Sequence, residues 1–356
     1  MNTAQRLPIS LTPLDVALAA LLRDLKPVAT RKDARSGAPP WAFDAMPELK
    51  AWPPHDVASA DGWTLRASDL VGASSFTPLP LVRQPAWAEA GDSIPEGCDC
   101  VVDEDSIDPT GPIAQALSEA IPGQGIRRKG GEIADAGRIV GAWRPSSLRH
   151  AGLQVRVVNV PGGAITAKLV ARGLREAGIE ITFAEAAARD AASVSGLLDG
   201  GGCDLLITIG GSGAGRTDAT VIALAGRGEV IAHGLALQPG RTAAVGRIGR
   251  TPVIALPGAP DQALAVWWAL VLPLLDRLSG RQTPPTVALP LARKIASSVG
   301  IAEIVLLERQ ADSWMPLATG DLPLAAIARA DAWLLVPGGS EGYAVGTQVN
   351  AYMLRE

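Results

Sequence analysis

The stretch Leu205–Asp218, LLITIGGSGAGRTD, constrains this chain more than any other. An apolar, β-branched run of strand length ends in a glycine-rich turn that carries one acid, Asp218. Further along, Val253–Leu256 ends in a second Pro/Gly turn, LPGAP. Two strand ends of this kind in one segment predict a ligand site at the carboxyl edge of a parallel sheet. The surrounding pattern agrees. Strands are expected at Val155–Val160, Ile179–Phe183, Leu205–Thr208, Glu229–Ala232, Thr242–Val245 and Val253–Leu256. Helices are expected at Ile165–Ala177, 191–199, Ala219–Ala225 and Asp261–Leu278. Alternation of this kind implies an α/β unit with a largely parallel sheet.

The rest of the chain reads differently. Thr12 suits an N-cap and Pro13 the first helical position, and Leu14, Leu18, Leu21, Leu22 and Leu25 fall on one helical face. Asp61–Asp108 consists of short apolar runs between Pro and Gly, which predicts a small β domain. Pro145 is expected to open another short helix, with Leu148 and Leu153 turned inward. Residues 286–356 run in short strands such as Glu303–Leu307, Ala332–Val336 and Val349–Met353. The resulting fold class is α/β plus β and multidomain. Residues 1–45 and 124–153 form a discontinuous helical layer, 46–123 an inserted β domain, 154–280 the α/β ligand domain, and 281–356 a carboxyl-terminal β barrel.

Composition narrows the function. A hydrophobic content of 47% indicates a globular chain. A net charge of −4 argues against nucleic-acid binding through bulk charge. The basic run Arg127-Arg128-Lys129 reads as a solvated turn or a structural anion site. Cys98, Cys100 and Cys203 support neither a disulfide framework nor a zinc spacing, so buried thiols in a reduced, cytoplasmic protein are expected. Ala263–Leu275, the longest apolar stretch, is too short to span a bilayer. Of Trp267 and Trp268 within it, one is expected in the core and the other facing a subunit partner.

The glycine turn is not a P-loop, because no GK[ST] follows, and Arg216 spoils a dinucleotide fingerprint. What remains is a strand, a glycine-rich turn and a helix start, whose N–H groups form an anion cradle. Asp218 alone reads equally as an N-cap. His55, His150 and His233 are too dispersed for a zinc site.

Six blocks, in order along the chain, resemble the molybdopterin molybdenumtransferases, the MoeA and gephyrin E-domain family. Ser59–Trp63 resembles the family's SAMDGY segment, Ala90–Val102 its TGAPVPEGADAVV, and Ile126–Ile133 its IRRRGEDI. IGGSGAGRTD is similar to the SGGVSVGDYD loop, Leu235–Gly246 to a VAMKPGKPxxFG stretch, and LPGAP to LPGNP. The resemblance implies molybdenum cofactor biosynthesis: molybdate is inserted into adenylylated molybdopterin and AMP is released, with magnesium as the cation. It also implies a homodimer with sites assembled between subunits, and contacts with other cofactor biosynthesis proteins or molybdoenzymes. Matched position by position, it assigns catalytic roles to Asp61, Glu132, Asp190 and Asp218, with Asp190 and Asp218 holding the metal. Gly210, Gly211, Ser212, Gly213, Arg241, Pro257, Gly258 and Pro260 would bind the substrate.

Departures from the family pattern bear on catalysis. The family threonine falls on Ala90, the aspartate of GEDI on Glu132, and KPGKP becomes Gln238–Thr242 with Arg241 as its cation. The STGDEL segment is replaced by VVNVPGGAIT at Val157–Thr166, which has no acid. Two readings follow: a molybdenumtransferase with a trimmed site, and a catalytically impaired paralogue that binds molybdopterin or its nucleotide as a carrier or partner protein. A pure scaffold and a nucleotide pyrophosphatase are more distant alternatives.

Overall fold

The computed structural model describes residues 10–28, 55–130, 152–281 and 285–354, together with Gln5, Pro8, Pro53, Ala142 and Trp143. The chain forms two compact units, residues 1–48 with 134–356, and residues 49–133.

The first described helix, α1 (Leu14–Leu22), buries Leu14, Ala17 and Leu21. Thr12 does not cap it. Thr12 and Pro13 pair in parallel with Leu235 and Ala236, and the Thr12 N–H donates to the Gly234 carbonyl at 2.9 Å. Strand pairing has claimed the residue that local pattern assigned to the helix. Pro145 and Leu148 lie outside the described residues.

The α/β region follows the predicted alternation closely. In chain order it comprises β1 (Gln154–Asn159), α2 (Ala164–Glu176), β2 (Glu180–Glu185), α3 (Ala191–Ser195), β3 (Leu205–Ile209) and α4 (Thr220–Arg227). Then come β4 (Glu229–His233), β5 (Leu235–Gln238), β6 (Ala244–Ile248), β7 (Thr251–Leu256) and α5 (Pro260–Val266). A π-helical turn, Trp267–Val271, joins α5 to α6 (Leu272–Ser279). Six strands form one sheet in the order β2-β1-β3-β7-β6-β4. β2, β1, β3 and β7 are mutually parallel, and β6 and β4 complete the sheet antiparallel.

This order sets the site. The chain leaves β1 through α2 to β2 on one side, then returns through α3 to β3 on the other. The crossovers diverge at the β1/β3 boundary, and such a switch point opens a crevice at the carboxyl edge. All five residues of β3 are buried, as expected for a parallel strand covered on both faces. One face packs Leu206 and Val253 against Val194, Leu198, Ala223 and Leu224 from the α3 and α4 side.

Trp267 and Trp268 are both buried, which corrects the expectation that one faces a partner. Trp143 lies 5.6 Å from the Trp267 ring. Trp268 stacks on Trp333 at 5.3 Å, and Trp333 stacks on Tyr352 at 4.6 Å. Aromatic partners meet the helix from more than one element, so the helix is apolar all round because it is covered all round.

The carboxyl-terminal strands are β8 (Thr286–Pro290), β9 (Ala302–Gln310), β10 (Ser313–Thr319), β11 (Ala332–Val336) and β12 (Gln348–Met353), with α7 (Leu324–Arg329) between β10 and β11. The sheet runs β5-β9-β11-β12-β8, with Thr12–Pro13 beyond β5 and β10 also on β9. Of the expected β barrel, the described strands form one sheet. An isolated bridge between Leu291 and Trp314 brings the two ends near each other, but no continuous ladder closes them. β5 pairs with the first two residues of β9, joining a strand of the α/β segment to this sheet.

In the unit of residues 49–133, two three-stranded antiparallel sheets pack Leu65, Leu70, Cys100, Val102, Ile107 and Ala116 into a core. Burial raises the Cys100 thiol to about 11. Cys98, Cys100 and Cys203 are all free thiols. Among the described residues, no helix is long and apolar enough to cross a membrane.

Candidate functional site

Three turns meet at the carboxyl edge of the parallel strands. They are Val160–Gly163 after β1, Gly210–Gly213 after β3 and Pro257–Pro260 after β7. The ladder continues into them: the Val160 N–H donates to Ile209 O and the Gly210 N–H to Leu256 O, each at 2.9 Å. A Cβ on Gly258 would lie 3.6 Å from Gly210 Cα and 3.8 Å from Gly162 O, so the three turns are in contact. Two glycines are required by geometry. Gly211 has φ +67°, and a Cβ there would lie 2.5 Å from Thr220 Oγ1. A Cβ on Gly163 would approach Asn159 Oδ1 and Ile209 Cγ2 to 2.9 Å.

The glycine turn is tied to the helix behind it. Thr220 Oγ1 donates to Gly210 O at 2.9 Å, and the Thr220 N–H donates to Gly211 O at 2.9 Å. Gln5, only 4% exposed, accepts from the Val221 N–H at 2.9 Å and donates to Gly213 O at 2.6 Å and Gly211 O at 3.2 Å. Two first-turn N–H groups of α4 are therefore engaged within the protein, and the anion-facing role falls to the turn itself. Buried Ser212 gives its carbonyl to His233 Nε2 at 3.0 Å, while its Oγ has no hydrogen-bond partner among the described residues. Burial lowers the His233 pKa, so the imidazole is held neutral. Asn159 directs Nδ2 to Glu185 Oε1 at 3.2 Å, and its buried Oδ1 has no hydrogen-bond partner among the described residues. Asn159 also lines a cleft of about 240 Å³ with Ala164, Lys168 and Glu185.

Asp218 is 6% exposed. Its Oδ1 accepts from Arg189 Nη2 at 2.5 Å, and its Oδ2 accepts from the Gly215 N–H at 3.2 Å. It does not cap α4, whose N-cap is Ala219. Arg189 Nη1 also donates to Pro161 O at 3.4 Å, so one guanidinium links the turns after β1 and β3. Asp190 is the N-cap of α3. Its two oxygens accept from Ser193 N at 2.9 Å and Ser193 Oγ at 2.7 Å, bonds that hold the carboxyl below its usual range.

The remaining predicted residues are more scattered. Pro260 is buried at the first position of α5. Arg241 is exposed on the turn after β5, where its carbonyl accepts from the Leu235 N–H at 2.9 Å. Asp61 belongs to the other compact unit and accepts the Ala90 N–H at 2.9 Å, at the position where the family carries threonine. Glu132 lies outside the described residues. Among the described residues, no group of three or more His, Cys, Asp or Glu side chains is arranged to hold a metal ion. Gln5, Asn159, Arg189 and Thr220 were not among the residues predicted from sequence. Of these, only Arg189 carried a local signal, as the basic neighbour of Asp190.

Residues 164–277 match the model of a probable molybdopterin binding domain. A molybdopterin molybdenumtransferase 2 from Mycobacterium tuberculosis is 28% identical over 365 residues, covering 85% of this chain and 89% of the relative. A putative molybdopterin biosynthesis protein from Methanocaldococcus jannaschii is 24% identical, covering 85% of this chain and 86% of that one. The crystal structure of a molybdopterin biosynthesis MoeA protein from Pyrococcus horikoshii shares the fold, with a TM-score of 0.51 at 20% identity, over 98% of this chain and 100% of that one. Over 85% of its length the chain is thus similar to molybdopterin molybdenumtransferases, and its α/β segment matches a molybdopterin binding domain. The matched segment begins at Ala164, just after the turn Val160–Gly163, which carries no acid. That turn holds backbone carbonyls, two glycines and the Arg189 contact instead.

Proposed function

We propose that the carboxyl edge of β1, β3 and β7 binds the phosphate-bearing part of a molybdopterin nucleotide, and that the chain works in molybdenum cofactor biosynthesis. The observation that carries this reading is the contact of three glycine-bearing turns at the switch point, within and beside the segment matched by the molybdopterin binding model. Glycine turns bring backbone N–H groups close to an anion without steric cost. In its fuller form, the chain inserts molybdate into adenylylated molybdopterin and releases AMP. Breaking the phosphoanhydride bond leaves negative charge on the departing phosphate, which N–H groups of Gly211–Gly213 and the Arg241 side chain would balance. In the dimer that the resemblance implies, Asp61 and Glu132 of a second copy would position the substrate or the incoming molybdate.

Binding without turnover is the second reading. It is favoured by the prior engagement of Asp190 by Ser193 and of Asp218 by Arg189. One experiment separates the two. The pure protein is incubated with adenylylated molybdopterin, molybdate and magnesium, AMP is measured by chromatography, and retained pterin by fluorescence after gel filtration. AMP supports the transferase, and pterin retained without AMP supports the carrier. Neither AMP nor retained pterin refutes both.

A further inference from the structure

The cation implied by family resemblance does not fit the acids meant to hold it. Magnesium demands near-octahedral oxygen ligands at short distance and binds through carboxylates that are open to it. Asp218 is almost fully buried, with one oxygen against a guanidinium nitrogen at 2.5 Å and the other on a backbone N–H at 3.2 Å. A divalent ion on that carboxylate would sit beside the positive charge of Arg189, and like charges repel strongly at such a distance. Asp190 holds Ser193 with both oxygens, so ligating a metal would uncap α3. The turn after β1 offers no acid to compensate, only carbonyls and glycines.

Arg189 already supplies a positive charge at this edge. Its guanidinium reaches Asp218 in the loop after β3 and Pro161 O in the turn after β1, the two walls of the switch-point crevice. A Cβ on Gly162 would stand 3.1 Å from Nη1, so this glycine leaves room for the approach. Arginine keeps its charge at any pH the fold survives. The geometry points to Arg189 as the built-in cation of the site: it holds the place beside Asp218 that a divalent ion would need, and the edge takes its anionic ligand without a metal at Asp190 and Asp218. This rests on the reading of the edge as a ligand site.

The test is a Mn²⁺ titration followed by electron paramagnetic resonance on metal-stripped protein, comparing wild type, Asp218→Asn, Arg189→Met and the double variant. Up to about 1 mM Mn²⁺, wild type and Asp218→Asn should bind alike. Arg189→Met should gain roughly tenfold in Mn²⁺ affinity, and the double variant should lose that gain. Wild type binding about tenfold more tightly than Asp218→Asn would overturn the inference, and so would an Arg189→Met protein that gains nothing. If Arg189→Met does not fold, the comparison of wild type with Asp218→Asn decides alone. Calorimetry with pyrophosphate as the probe completes the test. Its affinity should be the same in magnesium and in chelator. Affinity that appears only with magnesium overturns the metal-free site. No pyrophosphate binding under either condition overturns the ligand-site reading beneath it, an outcome the Mn²⁺ titration cannot mimic.

Discussion

Gly211→Ala probes how tightly the glycine loop is built. At φ +67° an alanine enters the left-handed region, which costs about 1–2 kcal/mol. The new methyl would also lie 2.5 Å from Thr220 Oγ1 and 3.3 Å from Val160 Cγ1. Thr220 is buried, and its hydroxyl donates to Gly210 O at 2.9 Å. Turning that hydroxyl away loses a bond worth about 1 kcal/mol and leaves a buried acceptor unmet. The expected destabilisation is roughly 3 kcal/mol in all. Thr220→Ala removes the colliding oxygen, so the double variant should be more stable than the sum of the single effects by about 1–2 kcal/mol. Urea denaturation of the four proteins measures this cycle. A Gly211→Ala cost below about 1 kcal/mol, or single effects that add within about 0.3 kcal/mol, would refute the argument.

Three further outcomes follow from the same structure. Burial lifts the Asp276 carboxyl to about 6, so the fold favours its protonated form and the ionised form is a burden at neutral pH. Asp276→Asn should therefore stabilise the protein by up to about 3 kcal/mol at pH 7.5, with the gain fading as pH falls from 6 towards 4, measured by urea melts across that range. Arg247 Nη2 donates to three carbonyls at the end of α1, Ala20, Leu21 and Arg23, at 3.0, 3.0 and 2.6 Å. Arg247→Met should cost about 2 kcal/mol and lower hydrogen-exchange protection in α1 before the central strands respond. Trp268→Phe keeps an aromatic ring facing Trp333 but leaves the Ala142 carbonyl without its 2.9 Å donor, for a cost of about 1–2 kcal/mol in thermal or urea melts.

The parts of this molecule that were legible in sequence are those governed by local period and turn chemistry. The strand–helix alternation from β1 to α6 was readable because a parallel strand such as Leu205–Ile209 is a continuous apolar run bounded by glycine. The glycine and proline turns were readable because their backbone geometry selects those residues. Long-range pairing was not. Asp218 shows no trace in sequence of Arg189, 29 positions away, and this pair changes the chemistry expected of the acid. Thr12 looked like a cap until a strand more than two hundred residues later claimed it. Burial of both tryptophans depends on Trp143, Trp333 and Tyr352, none of which belongs to the same helix. The carboxyl-terminal sheet likewise gains β5 from the α/β segment, through its pairing with the start of β9.

The hydrogen bonds of Gln5 bear on how the protein is made and handled. Its partners, Gly211, Gly213 and Val221, are synthesised more than two hundred residues after it. Gln5 can find its place only after those partners exist, so the glycine loop reaches its final form only when this distant segment returns to it. A change at Gln5 therefore alters the back wall of the site, so loss of activity there reports on the shape of the loop rather than on the groups at its front.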